Sequence, residues 1–220
     1  MLPVLIVNYK TTELTNAAVL SVKKHCSNAI VTVYDSSSDY TGTADTIIKN
    51  EIDFDVFKNS YPNKVLTTCN DYGSAKHCYT VDYCFKFFND GFILLDSDVL
   101  VKRDLSELYM PDKIWVGQSH TSKKHKVNIS RLYPFCCFIN TKMCKEYNIH
   151  YFNGDYMWEL TTDKGRWYDT GAWFLEATSG YPHKEIHVTD YIEHYGNGSF
   201  NKNKKVTPEQ WLNKYSNLYK

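Results

Sequence analysis

The chain has no apolar stretch long enough to cross a bilayer as a helix. Its opening, MLPVLIVNYK, has no basic segment before it and no small-residue cleavage site after it, so it reads as a strand rather than a signal peptide. Net charge is also missing, since Lys+Arg and Asp+Glu both total 25. No overall field draws nucleic acid or an anionic membrane, so neither is expected as a principal partner. No C-x-x-C occurs among the seven cysteines, which argues against a zinc ribbon or a thioredoxin-like site. Cys26, Cys69, Cys78, Cys84, Cys136, Cys137 and Cys144 are odd in number and read as reduced, mostly buried thiols of a cytosolic protein. Internal repeats are absent, and no linker justifies a cut, so the 220 residues are expected to form one domain.

Hydrophobic residues make up 43% of the chain and charged residues 23%, ordinary values for a globular protein with a full core. Aromatics are plentiful, with 18 Tyr, 11 Phe and 5 Trp; most are expected in the core, and some are free to serve as stacking platforms.

Hydrophobic periodicity alternates along the chain. VLIVNY (4–9) is a continuous apolar run, as expected of a strand covered on both faces. TTELTNAAVLSVKKH places Leu14, Ala17, Ala18, Ser21 and Val22 at helical spacing, with Thr12 as the expected N-cap. AIVTVYDSSSD holds a second strand, Ile30–Tyr34, stopped by Asp35 and the serines, TADTIIKN is a short helical stretch and IDFDVF, by strict alternation, a third strand. GSAKHCYTVDYCFKFF is a helix with Cys78, Val81, Phe85 and Phe88 on one side. FILLD is the next strand. KIWVG and PFCCFIN are two more, joined by the basic polar loop SHTSKKHK. Residues 169–178 read as a helix capped by Asp169 or Thr170, EIHV and YIEHY as short extended pieces. The tail from about residue 201 ends in a helix with Thr207 as N-cap and Pro208 at its first position. The order predicts an α/β fold, a mostly parallel central sheet flanked by helices, with ligands bound off the carboxyl ends of the strands.

FILLDSDVL carries the sharpest chemical signal. An apolar strand runs into Asp96, Ser97 and Asp98, two carboxylates one residue apart on a turn. They repel each other unless a partner neutralises them. Hard oxygen ligands at this spacing suit Mn²⁺ or Mg²⁺, and such a cation also neutralises a diphosphate leaving group. The plain alternative is a pair of solvated turn aspartates.

FILLDSDVLV resembles the D-x-D strand of GT-A-fold glycosyltransferases, which transfer a sugar from a nucleotide sugar. VLIVNYKTTELTNAAVLSVKKH is similar to the first strand and helix of family 2 glycosyltransferases. VTVYDSSSD is similar to their second strand and its acidic turn, NDYGSAKHCYTVDYCF to the segment before the metal strand, PFCCFINTKMC to the acceptor-side strand, and YDTGAWF to the region of a late catalytic aspartate. The resemblance spans residues 1 to about 200 through the order and spacing of several short motifs.

The resemblance implies that Val7, Asn8 and Tyr9 line the pocket for base and ribose, with Tyr9 stacking on the base or standing as a core-edge tyrosine. Asp35 is implied to accept a hydrogen bond from base or ribose, or else to cap its own turn. Lys76 reaches the diphosphate or base, or is solvated. Asp96, Ser97 and Asp98 meet the donor, and His194 completes the cation shell with Asp96 and Asp98, His187 being the second choice. Gly196 and Gly198 let the following loop approach a diphosphate. Asp169 is implied as a general base for an inverting transfer. The run Lys123–Lys126 is a solvated loop, or meets a phosphorylated acceptor or lipid head group.

The expected activity is therefore metal-dependent transfer of a sugar from a nucleotide-diphosphate donor, UDP- or GDP-linked, to the hydroxyl of a carbohydrate or other acceptor. The expected location is cytoplasmic, with room for peripheral membrane contact through the tail or the basic loop. A nucleotidyltransferase that makes nucleotide sugars shares the α/β layout, but the first turn is NYKTTEL and no G-G-x-G-T-R-L-like opening is present. A non-catalytic nucleotide- or carbohydrate-binding protein is the third reading.

Overall fold

The computed structural model describes residues 1–59, 72–124, 127–154, 170–196 and 206–220. Its centre is a seven-stranded sheet. The strands are β1 (Leu2–Asn8), β2 (Ala29–Asp35), β3 (Thr46–Lys49), β4 (Phe92–Asp96), β6 (Trp115–Gly117), β9 (Cys136–Ile139) and β10 (His183–Glu185). Their order is β10-β6-β9-β4-β1-β2-β3. Only β9 runs against its neighbours, so the sheet is mostly parallel.

The apolar runs form strands because both faces of the sheet are covered. In β1, Val4 and Ile6 point to one core with Ile93 and Leu95 of β4, packed against Ala18, Val19 and Val22 of helix α1 (Thr12–His25). Leu5 and Val7 point to the other core with Phe92 and Leu94, packed against Ala75, Cys78 and Val81 of helix α3 (Tyr72–Cys84). Period-two alternation thus feeds two cores from one strand. Cys26, Cys78, Cys84, Cys136, Cys137 and Cys144 are all buried; Cys69 lies outside the described residues.

Several local expectations are corrected, the first being the N-cap position of α1, which Thr11 occupies and not Thr12. TADTIIKN holds strand β3 instead of a helix, because its β-branched Thr46, Ile47 and Ile48 pair in parallel with β2. IDFDVF is not a strand; helix α2 (Phe54–Asn59) starts there. The Asp53 carboxylate accepts from the amides of Asp55 (2.9 Å) and Val56 (3.0 Å), an N-cap that overrides the alternation. The basic segment is not a plain loop either, since β7 (Ser119–Lys124) and β8 (Val127–Leu132) pair as antiparallel strands. Helix α5 (Ala172–Ala177) is capped by Gly171 in the left-handed region (φ 84°), not by Thr170; a Cβ on Gly171 would stand 2.2 Å from the Leu132 carbonyl oxygen.

A two-stranded ribbon, β5 (Val99–Val101) with β11 (Ile192–His194), lies beside the sheet. Helix α4 (Thr141–Glu146) follows β9, with the Asn140 side chain accepting from the Met143 amide at its start. Helix α6 (Pro208–Lys214) begins as expected, with Thr207 as N-cap, Pro208 first and a capping box closed by Gln210. Its Trp211 and Leu212 pack with Leu14, Ala17, Leu100 and Tyr195.

Strand order reverses at β1. The chain runs outward through β2 and β3, then returns to place β4 on the other side of β1, with Val7 opposite Asp96. Open α/β sheets bind ligands at such a reversal, off the carboxyl strand ends. The ends of β1 and β4 carry Asn8 and Asp96.

Candidate functional site

Asp96 closes β4, and the turn through Ser97 and Asp98 leads directly into β5. β11 pairs antiparallel with β5, His194 opposite Val99, and the Tyr195 amide donates to the Asp98 carbonyl at 2.9 Å. This ribbon carries His194 Nε2 to 3.1 Å from Asp98 Oδ1 across 96 residues of chain. The His194 ring stacks on Phe135, centroids 4.3 Å apart. The Phe135 carbonyl also accepts from the Asp96 amide (3.4 Å), so one residue braces two corners of the site.

Ligand atoms of Asp96, Asp98 and His194 all lie within 4.8 Å of one another. Two carboxylates and one imidazole are a donor set that suits a hard or borderline divalent cation such as Mn²⁺ or Mg²⁺. The electrostatics favour one. Burial pushes the Asp96 carboxyl above the usual range, the Asp98 charge adds to this, and His77, His194 and Arg131 pull against it. Asp98 is buried. Two such groups close together are costly unless a positive charge joins them.

The turn is tied to the end of β1 by a chain of polar side chains. Thr11, at the N-cap position of α1, makes no side-chain cap bond; its Oγ1 lies 2.9 Å from Ser97 Oγ and 3.1 Å from Asn8 Oδ1. Asn8 Oδ1 also accepts from Thr15 Oγ1 at 2.8 Å. On its other side Asn8 Nδ2 donates to Asp35 Oδ1 at 2.8 Å, with Ser37 and Asp39 in reach. Asp35 accepts further bonds from the Tyr40 amide (2.8 Å), Lys49 Nζ (2.9 Å) and Ser37 Oγ (3.1 Å). Asn8 and Asp35 are both fully buried. Burial alone would raise the Asp35 pKa; the hydrogen bonds from Lys49, Asn8, Tyr40 and Ser37 together outweigh it and hold the carboxyl below the usual range.

Tyr9, next along the chain, is 39% exposed. The ammonium groups of Lys10 and Lys76 stand 5.5 and 5.9 Å from its ring centre, and Lys76 lies 4.3 Å from that of Phe54. Burial lowers the Lys76 pKa and Lys10 adds to the effect, while Asp55 opposes it. Two cations beside an exposed aromatic ring make a surface suited to a flat, negatively charged ligand.

Of the residues singled out in the sequence, the fold thus gathers Asp96, Ser97, Asp98 and His194 in one place, with Val7 and Asn8 on the adjoining strand end. Val7 is core-facing. Asp35 ends the next strand, with its carboxylate turned into the Asn8 network. His187 is exposed, at the start of a 3₁₀ turn (Val188–Asp190), and is not part of the cation cluster. Asp169, His125, Lys126 and Gly198 lie outside the described residues. Three neighbours escaped sequence reasoning. His77 Nε2 is 3.8 Å from Asp96 Oδ1, Phe135 stacks on His194, and Thr11 meets Ser97. All three lie inside segments that carry the family resemblance, but none occupies a position there that the resemblance marks as functional. A lone helical histidine, a strand-end phenylalanine and a threonine before a helix signal nothing until the fold places them.

No protein-family model matches the chain, and neither does any curated protein. Solved structures do. The galactosyltransferase LgtC, in complex with donor and acceptor sugar analogs, matches with a TM-score of 0.58 at 13% identity, over 85% of this chain and 74% of LgtC. The bifunctional glycosyltransferase WbbM, in its apo structure, matches with a TM-score of 0.53 at 14% identity, over 85% of this chain and 39% of WbbM. The glycosyltransferase GlyE of Streptococcus pneumoniae TIGR4 aligns over 45% of its own length, so the chain spans less than half of two of these proteins. At such identities the likeness is one of architecture: this chain has the GT-A fold that it shares with LgtC and WbbM.

Proposed function

We propose that the chain is a metal-dependent glycosyltransferase, moving a sugar from a nucleotide-diphosphate donor to an acceptor hydroxyl. The convergence of Asp96, Asp98 and His194 at the strand-order reversal of a glycosyltransferase-like sheet carries this reading. A divalent cation such as Mn²⁺ or Mg²⁺, held there, would offset the charge on a departing nucleotide diphosphate. In this reading the two carboxylates and His194 hold that cation. Tyr9 stacks on the base, and Lys76 meets the base or diphosphate. Ser97 keeps the turn against α1, and Val7, Asn8 and Asp35 shape the strand ends beneath the nucleotide.

Asp169 is proposed as the base that takes the acceptor proton in an inverting transfer. The donor is proposed to be UDP- or GDP-linked, and the acceptor a carbohydrate or another hydroxyl compound. No helix among the described residues is long and apolar enough to cross a membrane. For its location we propose the cytoplasm, with the basic hairpin and the tail as the surfaces open to peripheral membrane contact.

The test is a panel of nucleotide sugars incubated with Mn²⁺, with products read by mass spectrometry. Sugar transfer or donor hydrolysis, lost with chelator and in Asp98→Ala, supports the reading. Pyrophosphate release would make the protein a nucleotidyltransferase, and binding without turnover a non-catalytic one.

A further inference from the structure

We propose that His77 is a positioning residue of the cation site, kept against Asp96 at a cost to the stability of the free fold. The proposal rests on the reading that Asp96, Asp98 and His194 hold a cation. His77 belongs to α3, on the opposite side of the sheet from α1, and reaches the end of β4 from there. Its Nε2 is buried and makes no hydrogen bond among the described residues. Among the described residues, the carboxylate it approaches is that of Asp96, with Oδ1 3.8 Å away and beyond hydrogen-bond length. Neighbours on the same helix, Ala75, Cys78 and Val81, are fully buried, so an apolar side chain would suit this stretch.

A buried polar atom without a partner loses its hydration and gains nothing in return. Natural folds keep few such groups, and each calls for a reason. Here the reason is its direction, since the atom faces one of three cation-ligating side chains. A proton on Nε2 would point its positive end at Asp96. At 3.8 Å this approach is too long to repay the lost hydration, but it would bias the orientation of the Asp96 carboxylate from the α3 side. Supporting groups of this kind orient ligands without touching the metal. Neither residue has to change its protonation for this, so the role does not depend on titration.

The structure therefore sets two effects of one substitution in opposite directions. In His77→Leu the orphaned atom is gone, and the metal-free protein, melted with chelator, should gain about 2–4 °C or more in Tm for a chain of this size. The same variant should bind Mn²⁺ about 10-fold or more weakly by calorimetry. His77→Gln keeps an N–H donor near the position of Nε2 and should recover most of the affinity. A Leu variant that melts lower or fails to fold makes His77 a packing residue and overturns the proposal. Mn²⁺ binding within twofold of native in His77→Leu overturns it as well, as does a Gln variant no better than Leu. A native protein that binds no Mn²⁺ defeats the cation reading itself and the proposal with it, an outcome distinct from native binding that is indifferent to residue 77.

Discussion

Replacing Asn8 by alanine should be among the most damaging single changes near the site, although the residue carries no charge. The Asn8 amide bridges two buried groups. Its nitrogen donates to the Asp35 carboxylate at 2.8 Å, and its oxygen accepts from the Thr15 hydroxyl at 2.8 Å. A hydrogen bond to a buried charged group is worth about 1.5–3 kcal/mol, and leaving the Thr15 hydroxyl without its acceptor adds roughly 1 kcal/mol. Asp35 keeps Lys49, Ser37 and the Tyr40 amide, which limits the loss. The sum is about 2.5–4 kcal/mol, a fall in Tm on the order of 10 °C for a chain of this size. Tyr9→Ala, one residue on and 39% exposed, is the control and should cost little stability.

The pH dependence carries a second signature. The folded protein holds the Asp35 carboxyl below its ordinary value, so its contribution is fully present above the unfolded pKa of about 3.9 and is lost as pH falls through the folded value. Removing Asn8 weakens that depression. The part of the deficit due to charge should therefore be complete at neutral pH and shrink as the solution is acidified through the carboxylate range. Urea unfolding of both proteins at neutral pH and in that range measures this. An Asn8→Ala protein within about 1 kcal/mol of native at neutral pH would refute the reasoning, because one buried charge-assisted bond alone exceeds that.

Three further outcomes are expected. His194→Ala should weaken Mn²⁺ binding about 10-fold or more in calorimetry, while His187→Ala, outside the cluster, stays within twofold of native; the reverse ranking would move the ligand. Thr11→Val keeps the shape but removes the hydroxyl between Asn8 and Ser97, and should cost about 1 kcal/mol in urea unfolding; an unchanged midpoint would show that this link adds nothing. Thr207→Ala opens the capping box of α6 and should cost about 1 kcal/mol, seen first as faster amide exchange at Gln210 and Trp211; unchanged exchange there would mean that packing of Trp211 alone holds the helix.

Much of the architecture is legible in the chain itself. The apolar runs at 4–9, 30–34 and 92–96 read as strands, and the helical spacing of α1 and α3 sits between them. The Asp96–Ser97–Asp98 turn is visible for the same reason, as two carboxylates at the end of an apolar run that has no cause to end in charge. Thr207 and Pro208 announce α6, because a cap is a local bond between residues three apart. Local rules fail where pairing decides. TIIK is a strand only because the edge of β2 lies beside it, and SHTSKK only because it meets VNISRL; an isolated peptide carries neither partner. IDFDVF alternates like a strand, yet one aspartate's bonds to two amides turn it into a helix. The cation site depends still more on tertiary structure. Nothing in the spacing between Asp98 and His194 says that they touch; the β5–β11 ribbon brings them to 3.1 Å. His77, Phe135 and Thr11 arrive from a helix, a strand turn and a helix start. The sequence by itself determined the central strands β1, β2 and β4, the helices α1, α3 and α6 and the acidic turn, because burial patterns and caps act over a few residues. Only the folded chain decided which distant side chains surround that turn, because their energies depend on a closeness that chain connectivity does not specify.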